Sequence, residues 1–216
     1  MKSIQILLVD DHAIVRQGYR SLLNDHPHLQ VAAEAKSGEE AYSRYRDNHV
    51  DVVVLDLSLP GKGGLATLIQ LLQYDPNARV LVFTMHLNPN TAIKVMQAGA
   101  RGYITKSSDP ECLIDAVNRV MQGDIVLSDD IKEQMALTTL ADKDLGLAKL
   151  SAREYEILGL LVEGKSKQQI ADILCISFKT VSNCHYIIKR KLAVNTDIEL
   201  MRAAIKLGLI AKACDE

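Results

Sequence analysis

The strongest constraint on the fold is a strict alternation of short apolar runs and helix-like segments as far as residue 121. The apolar runs, which are rich in β-branched residues, are 4–9, 29–33, 52–55, 80–84 and 102–105. Segments with a helical period lie near 13–24, 38–47, 64–74, 90–98 and 109–121. Strands that alternate with helices form a parallel sheet covered on both faces, and right-handed crossovers make it doubly wound. The sequence therefore predicts an α/β doubly wound five-stranded parallel sheet.

Polar side chains stand at the ends of four of these predicted strands. Asp10 and Asp11 follow the first strand, and Asp56 follows the third. Thr84 closes the fourth strand, and Lys106 follows the fifth. Each residue taken alone is an ordinary loop residue. Ligands of open α/β sheets bind beyond the carboxyl ends of the strands, so the set as a whole indicates a functional site.

The chemistry of this set suits phosphoryl transfer. Three carboxylates at one edge repel one another unless a cation lies among them, and hard oxygen ligands favour Mg²⁺. With that charge neutralised, one carboxylate can attack phosphorus while an ammonium and a hydroxyl hold the oxygens of the transferred group. The sequence thus predicts an aspartyl phosphate with Mg²⁺ as cofactor.

Residues 122–149 lose the periodicity and carry six acids against three bases. One short helix, capped at Ser128 or Asp129, is predicted within them. We interpret this segment as a tether between a first domain, 1–121, and a second domain, 150–216.

The second domain begins a series of short helices with explicit start signals. Ser151-x-x-Glu154, Ser166-x-x-Gln169 and Thr196-x-x-Glu199 each fit a capping box. A fourth helix starts at Ser177, and Gly164 is placed to end the first one. Four short helices with brief turns predict a small all-α domain with a helix-turn-helix.

The helix predicted over 178–192 has two different faces. Its buried stripe is formed by Val181, Cys184, Ile188 and Leu192, which recur at helical spacing. A solvated polar face explains most single helices, but residues 165–191 carry six positive side chains against one acid. The candidate DNA-binding residues are Lys165, Ser166, Lys167, Lys179, Thr180, Ser182, Asn183, Tyr186, Lys189 and Arg190.

The first domain resembles the bacterial receiver domains of two-component systems, a family with the flavodoxin-like fold. The resemblance runs through LLVDDH (7–12), VVVLDLSLPGKGG (52–64), VFTMH (82–86) and GYITKSSDP (102–110). It implies that Asp56 is the phosphoacceptor and that Asp11 binds Mg²⁺ directly, with Asp10 assisting through water. Asp56 and the backbone carbonyl of Ser58 complete the implied metal site. It further implies that Thr84 and Lys106 bind the phosphoryl oxygens and that Tyr103 is a switch residue, with strand packing as the alternative for this tyrosine.

Residues 150–194 resemble the LuxR-type helix-turn-helix, which places the chain with response regulators of the NarL/FixJ type. The resemblance implies a recognition helix near 178–192 and a last helix near 197–207 that forms a dimerisation surface. Two positions depart from the family pattern. Cys184, with His185 beside it, stands where the family usually has histidine, and Ser182 replaces a common basic residue. We expect Cys184 to fill the buried volume and Ser182 to alter operator preference.

These resemblances imply a phosphorylation-controlled transcription regulator that is not an enzyme. The expected partners are a sensor histidine kinase, double-stranded promoter DNA, a second copy of the chain when phosphorylated, and RNA polymerase. The apolar run at the start is too short for a signal peptide or a membrane span, so a cytoplasmic protein with reduced packing cysteines is expected. Two alternatives remain: a small aspartate-nucleophile phosphatase, and a module whose second domain binds protein alone.

Overall fold

The computed structural model describes residues 3–141, 150–174 and 176–206 of the chain. Contacts divide the chain into two compact units, residues 1–136 and 137–216. Within the described ranges, every helix is too short or too polar to cross a membrane.

The first unit is built on a six-stranded parallel sheet with the order β2-β1-β3-β4-β5-β6. Its strands are β1 (Ile4–Val9), β2 (Leu29–Ala35), β3 (Val52–Leu55), β4 (Val80–Thr84), β5 (Gly102–Thr105) and β6 (Val126–Leu127). Its helices are α1 (Ala13–Asn24), α2 (Gly38–Asp47), α3 (Gly64–Tyr74), α4 (Pro89–Gln97) and α5 (Pro110–Gln122). The predicted doubly wound α/β fold is confirmed, with one strand more than expected.

The central strands are buried on both faces, which is why they read as continuous apolar runs. Along β1, Leu7 and Val9 belong to one core cluster, whereas Ile6 and Leu8 belong to the cluster on the opposite face of the sheet. Each such side chain contributes roughly 1.5–3 kcal/mol of burial free energy. Because all neighbouring strands pair in parallel, their carboxyl ends lie at the same edge of the sheet.

The segment predicted as a tether differs from the prediction in its first part. Val126 and Leu127 pair with β5 as a sixth strand, and α6 (Asp129–Ala141) follows. Ile131 is fully buried in the core, and the Thr105 hydroxyl donates a hydrogen bond to the carboxylate of Asp130. Residues 122–136 therefore belong to the first unit. The rest of the predicted tether, 142–149, lies outside the described residues.

The second unit contains α7 (Ala152–Val162), α8 (Lys167–Ile173), α9 (Phe178–Lys191) and α10 (Asp197–Lys206). All three predicted capping boxes form. In each, the Ser or Thr side chain at the helix start accepts a hydrogen bond from the backbone amide three residues later. The Glu or Gln side chain at that later position accepts a hydrogen bond from the backbone amide of the Ser or Thr. Ser177 caps α9 by accepting from the Thr180 amide, and Gly164 has a positive φ of 78° after α7. The helix-turn-helix domain is confirmed.

One ion pair ties the start of α7 to the end of α9. The Lys191 ammonium lies 2.9 and 2.6 Å from the two carboxylate oxygens of Glu154, which is also the capping-box residue of α7. Burial alone would raise the pKa of Glu154, but hydrogen bonds from Lys191 and Ser151 lower it below its usual value. The carboxylate therefore stays charged and holds α9 in a fixed orientation on α7.

Glu156 gives the second unit a testable pH dependence. Burial raises the pKa of this carboxyl to about 7, although the Arg153 guanidinium lies 2.7 Å away and opposes the shift. Because the folded carboxyl binds its proton more tightly than the unfolded one, stability falls as pH rises from about 4.5 to about 7. We expect Glu156→Gln to stabilise this unit by about 2 kcal/mol at pH 8 and to leave it unchanged at pH 4.

The measurement is a urea titration with pulsed hydrogen–deuterium exchange, which follows α7 and α9 separately from the first unit. Glu163→Gln, at an exposed carboxyl just after α7, serves as the control and should keep the pH slope of the unmodified protein. A Glu156→Gln protein that is equally or less stable than the unmodified protein at pH 8 would contradict the prediction.

Candidate phosphorylation site and DNA-binding surface

The polar residues predicted at the strand ends meet at the carboxyl edge of the sheet. Asp10 and Asp56 are each 3% exposed, and Thr84 is fully buried. The Lys106 ammonium lies 2.6 Å from Oδ2 of Asp10 and 2.6 Å from Oδ2 of Asp56. One lysine thus joins two carboxylates that are 46 residues apart in the sequence, as the strand order of the sheet requires.

Lys106 remains positively charged in this position. Burial alone would lower the pKa of its ammonium, but the hydrogen bonds and charges of Asp10 and Asp56 outweigh burial and raise the pKa. The remaining oxygens of the two carboxylates accept backbone hydrogen bonds, Asp10 Oδ1 from the His12 amide at 2.7 Å and Asp56 Oδ1 from the Ser58 amide at 3.1 Å. These contacts hold both carboxylates in place.

The edge of the sheet also has the features of a divalent cation site. Asp10 and Asp11 bring carboxylate oxygens together with a nitrogen of His12, all within 4.8 Å. Among the described residues, no donor forms a hydrogen bond to the buried Oδ1 of Asp11, although Nδ1 of His12 lies 2.9 Å from it. The three carboxylates carry three negative charges against the single charge of Lys106. The orphaned oxygen and the uncompensated charge both fit a hard cation such as Mg²⁺.

His86 was not among the predicted site residues, but it connects several of them. Its Nε2 lies 3.1 Å from Oγ of Ser58, and its amide donates to Oγ1 of Thr84 at 3.4 Å. Its carbonyl accepts the hydroxyl proton of the fully buried Tyr103 at 2.8 Å. The only signal in the sequence was a polar side chain two residues after Thr84.

The outer face of α9 presents most of the residues predicted to bind DNA. Lys179, Thr180, Asn183, Tyr186 and Arg190 are exposed, and Ser182 is half-buried. The Arg190 guanidinium lies over the Tyr186 ring, 5.9 Å from its centroid. At the start of α8, Lys165 and Ser166 are exposed and Lys167 is half-buried. The backbone amide of Ser166 is used within its own helix, where it donates to the Gln169 side chain at 2.8 Å.

Lys189 is engaged differently from its predicted role. Its ammonium lies 2.7 Å from Oδ1 of Asp197 and donates to the Asn195 carbonyl at 3.3 Å. His185 Nε2 lies 3.0 Å from the same Asp197 oxygen. Burial, with a smaller contribution from Lys167, lowers the pKa of His185, so the imidazole is neutral at neutral pH. These contacts join α9 to the start of α10.

The structure modifies the expectations for the cysteines and for the buried stripe of α9. Val181 and Ile188 are buried as predicted, but Cys184 and Leu192 are only partly buried against the core. His185 is buried more deeply than Cys184, and its Nε2 reaches the largely exposed Asp197 carboxylate. Cys112 is exposed, so a packing role is wrong for it. Cys175 and Cys214 lie outside the described residues.

Comparisons with known proteins agree with this arrangement. Residues 6–118 match the model of the response regulator receiver domain, and residues 148–204 match that of the bacterial regulatory proteins of the luxR family. The response regulator UvrY of Escherichia coli (strain K12) is 37% identical over 208 residues, which cover 95% of each chain. The response regulator GacA of Pseudomonas aeruginosa is 36% identical and covers 97% of this chain and 99% of its own.

A solved structure extends the similarity across both units. RcsB from Salmonella enterica serovar Typhimurium, bound to promoter rprA in the presence of the phosphomimetic BeF₃⁻, is similar with a TM-score of 0.70 and 26% identity. The match covers 94% of this chain and 98% of that one. From the two family matches and the near full-length relatives, the chain belongs to the response regulators that combine a receiver domain with a LuxR-type helix-turn-helix, and it acts as a phosphorylation-dependent transcription regulator.

Proposed function

We propose that Asp56 is the residue that accepts the phosphoryl group in this response regulator. The observation that carries the proposal is its nearly buried carboxylate, held by Lys106 at 2.6 Å and by the Ser58 amide at 3.1 Å. A carboxylate oxygen of Asp56 attacks phosphorus, and the bond from phosphorus to the donor breaks. The Lys106 ammonium and the Thr84 hydroxyl then hold the oxygens of the transferred group.

We propose that Asp10, Asp11, Asp56 and the Ser58 carbonyl hold Mg²⁺ at this edge. When bound, the cation supplies positive charge that offsets the carboxylates and the incoming phosphoryl group. The orphaned oxygen of Asp11 and the charge excess support this assignment. We further propose that a sensor histidine kinase phosphorylates the chain stoichiometrically, and that the acyl phosphate stays on the protein as a signal without enzymatic turnover.

The hydrogen bonds of His86 suggest how phosphorylation leads to a conformational response. When Thr84 turns its hydroxyl towards the phosphoryl group, the hydrogen bond from the His86 amide to Oγ1 must change. The carbonyl of His86 accepts from Tyr103, so this tyrosine is coupled to the same movement. We therefore propose Tyr103 as the switch residue of this chain.

For the second unit, we propose sequence-specific binding of α9 in the major groove of promoter DNA. Exposed Lys179, Asn183 and Arg190 support this role, and RcsB provides a precedent in a similar protein bound to a promoter. Lys165, Ser166, Lys167, Thr180, Ser182 and Tyr186 are retained as proposed contacts. Lys189 would first have to leave Asp197.

We propose that the phosphorylated chain forms a homodimer through α10. Ile198 and Ile205 lie two helical turns apart on this helix and are 68% and 42% exposed. We propose that the protein acts in the cytoplasm, with a sensor kinase, chromosomal DNA and RNA polymerase as partners.

The test combines phosphorylation with DNA binding by the full chain. Acetyl phosphate with Mg²⁺ should add one phosphoryl group per chain in intact-protein mass spectra, and EDTA should prevent this addition. Fluorescence anisotropy should then show tighter binding to a promoter duplex, with affinity that falls as salt increases. Affinity that responds to neither salt nor acetyl phosphate would overturn the proposal.

A further inference from the structure

The recognition helix carries two large exposed aromatic side chains. Phe178 is 51% exposed and Tyr186 is 63% exposed, and neither belongs to the core of the second unit. With Ser182 between them, these residues are spaced by four, so they form one row along the helix surface. We call Phe178, Ser182 and Tyr186 the aromatic row. Ser182 has a small side chain and leaves the space between the two rings open.

The surroundings of the aromatic row are cationic. Lys179 and Asn183 lie directly beside it on the exposed face, and the Arg190 guanidinium stacks over the Tyr186 ring. Of the six positive side chains in residues 165–191, Lys189 and Lys191 pair with Asp197 and Glu154, and the other four stand against one acid in the same stretch. A protein partner that covered apolar rings on such a surface would have to be strongly acidic. Duplex DNA offers both a dense negative charge and an apolar group within its major groove, so we take DNA as the occupant.

Phe178 is the first residue of α9. Ser177 fixes the start of this helix, because its Oγ accepts a hydrogen bond from the Thr180 amide at 3.1 Å. The residues at the beginning of a recognition helix are those that reach the base edges in helix-turn-helix proteins. A phenyl ring neither donates nor accepts conventional hydrogen bonds. The C5-methyl of thymine is the group in the major groove that such a ring can recognise by contact.

We propose that Phe178 determines part of the operator specificity by contacting the C5-methyl group of a thymine in each half-site. This inference rests on the DNA-binding function proposed above and deepens it. Phe178 adds an apolar contact to a face that otherwise reads DNA through charge and hydrogen bonds.

The experiment uses the full chain with acetyl phosphate and Mg²⁺. A duplex is first selected from a random library, and each thymine is then replaced in turn by deoxyuridine, which lacks only the C5-methyl. For the unmodified protein, we expect uracil at one position per half-site to weaken binding about fourfold, which corresponds to ~0.8 kcal/mol for one methyl group. Phe178→Ala should bind thymine and uracil equally at that position and keep the normal response elsewhere.

Two further variants complete the test. Phe178→Leu keeps an apolar side chain and should retain part of the preference for thymine. Ile187→Ala removes an exposed apolar side chain from the same helix outside the aromatic row, and it should leave the preference unchanged. Circular dichroism of each variant checks that the total helix content is unchanged.

The inference is overturned if no thymine substitution affects the unmodified protein, or if Phe178→Ala retains the full preference at every position. A uniform loss of affinity in Phe178→Ala, equal for thymine and uracil duplexes, would also overturn it, because the ring would then act without reading the methyl. Absence of binding to any duplex at low salt would instead refute the proposed DNA-binding function.

Discussion

Replacing Asp56 with asparagine should abolish the addition of a phosphoryl group from acetyl phosphate. Asparagine has nearly the shape of aspartate, and its amide oxygen can still accept from the Ser58 amide, so the fold should be retained. Its neutral amide, however, lacks the nucleophilic carboxylate oxygen that forms the acyl phosphate. Intact-protein mass spectrometry measures the number of phosphoryl groups per chain, which we expect to fall to zero. The DNA affinity of this variant should no longer respond to the phosphodonor.

Asp51→Asn provides a control at the other end of β3. Asp51 precedes β3 at the opposite end from Asp56 and accepts the Gln5 amide at 2.9 Å, a contact that asparagine preserves. This variant should incorporate one phosphoryl group as the unmodified chain does. If Asp56→Asn still carried a hydroxylamine-labile phosphoryl group, the acceptor would be another carboxylate, and Asp10, which shares the Lys106 ammonium, would be the first to examine.

The receiver site was predictable because the rule that locates it depends on topology alone. Once alternating strands and helices imply a parallel sheet, the residues that follow the strands must share one edge. Asp56 and Lys106 could therefore be paired before any distance was known. His86 was missed for a complementary reason. Its backbone amide and carbonyl form hydrogen bonds with Thr84 and Tyr103. Any residue type can form backbone hydrogen bonds, so the sequence does not indicate them.

The boundary of the first unit was harder to predict. A strand of two residues, Val126 and Leu127, is too short to show a period of two, and the acidic residues around α6 resemble those of a linker. What places this segment in the core is the burial of Ile131 and the pairing with β5, and both depend on distant residues. In the second unit, by contrast, capping boxes are local signals, and all three helix starts were read correctly.

Gly64→Ala should damage both the stability and the phosphorylation of the first unit. A Cβ at this position would lie 2.4 Å from the Asp56 carbonyl oxygen and 2.4 Å from Cα of Leu57. Both are backbone atoms directly after β3, so neither can rotate away as a side chain would. The Gly64 amide also donates to the Leu57 carbonyl at 3.1 Å, which holds the loop closed at this point. We expect a loss of about 3 kcal/mol, as for a strongly overpacked site.

Phosphorylation should be impaired even where the variant is fully folded, because the displaced backbone is that of Asp56, the proposed phosphoacceptor. A shift that relieves the clash moves Asp56 relative to the Lys106 ammonium, so phosphoryl uptake should slow even at temperatures where the variant is fully folded. Gly18→Ala is the matched control. Gly18 lies in α1 with open space around the added Cβ, and alanine there should stabilise the helix by up to about 1 kcal/mol without affecting phosphorylation. A Gly64→Ala protein with normal thermal stability and normal phosphoryl uptake would show that the loop after β3 tolerates this methyl group. The close packing of α3 against the end of β3 would then not be what positions Asp56.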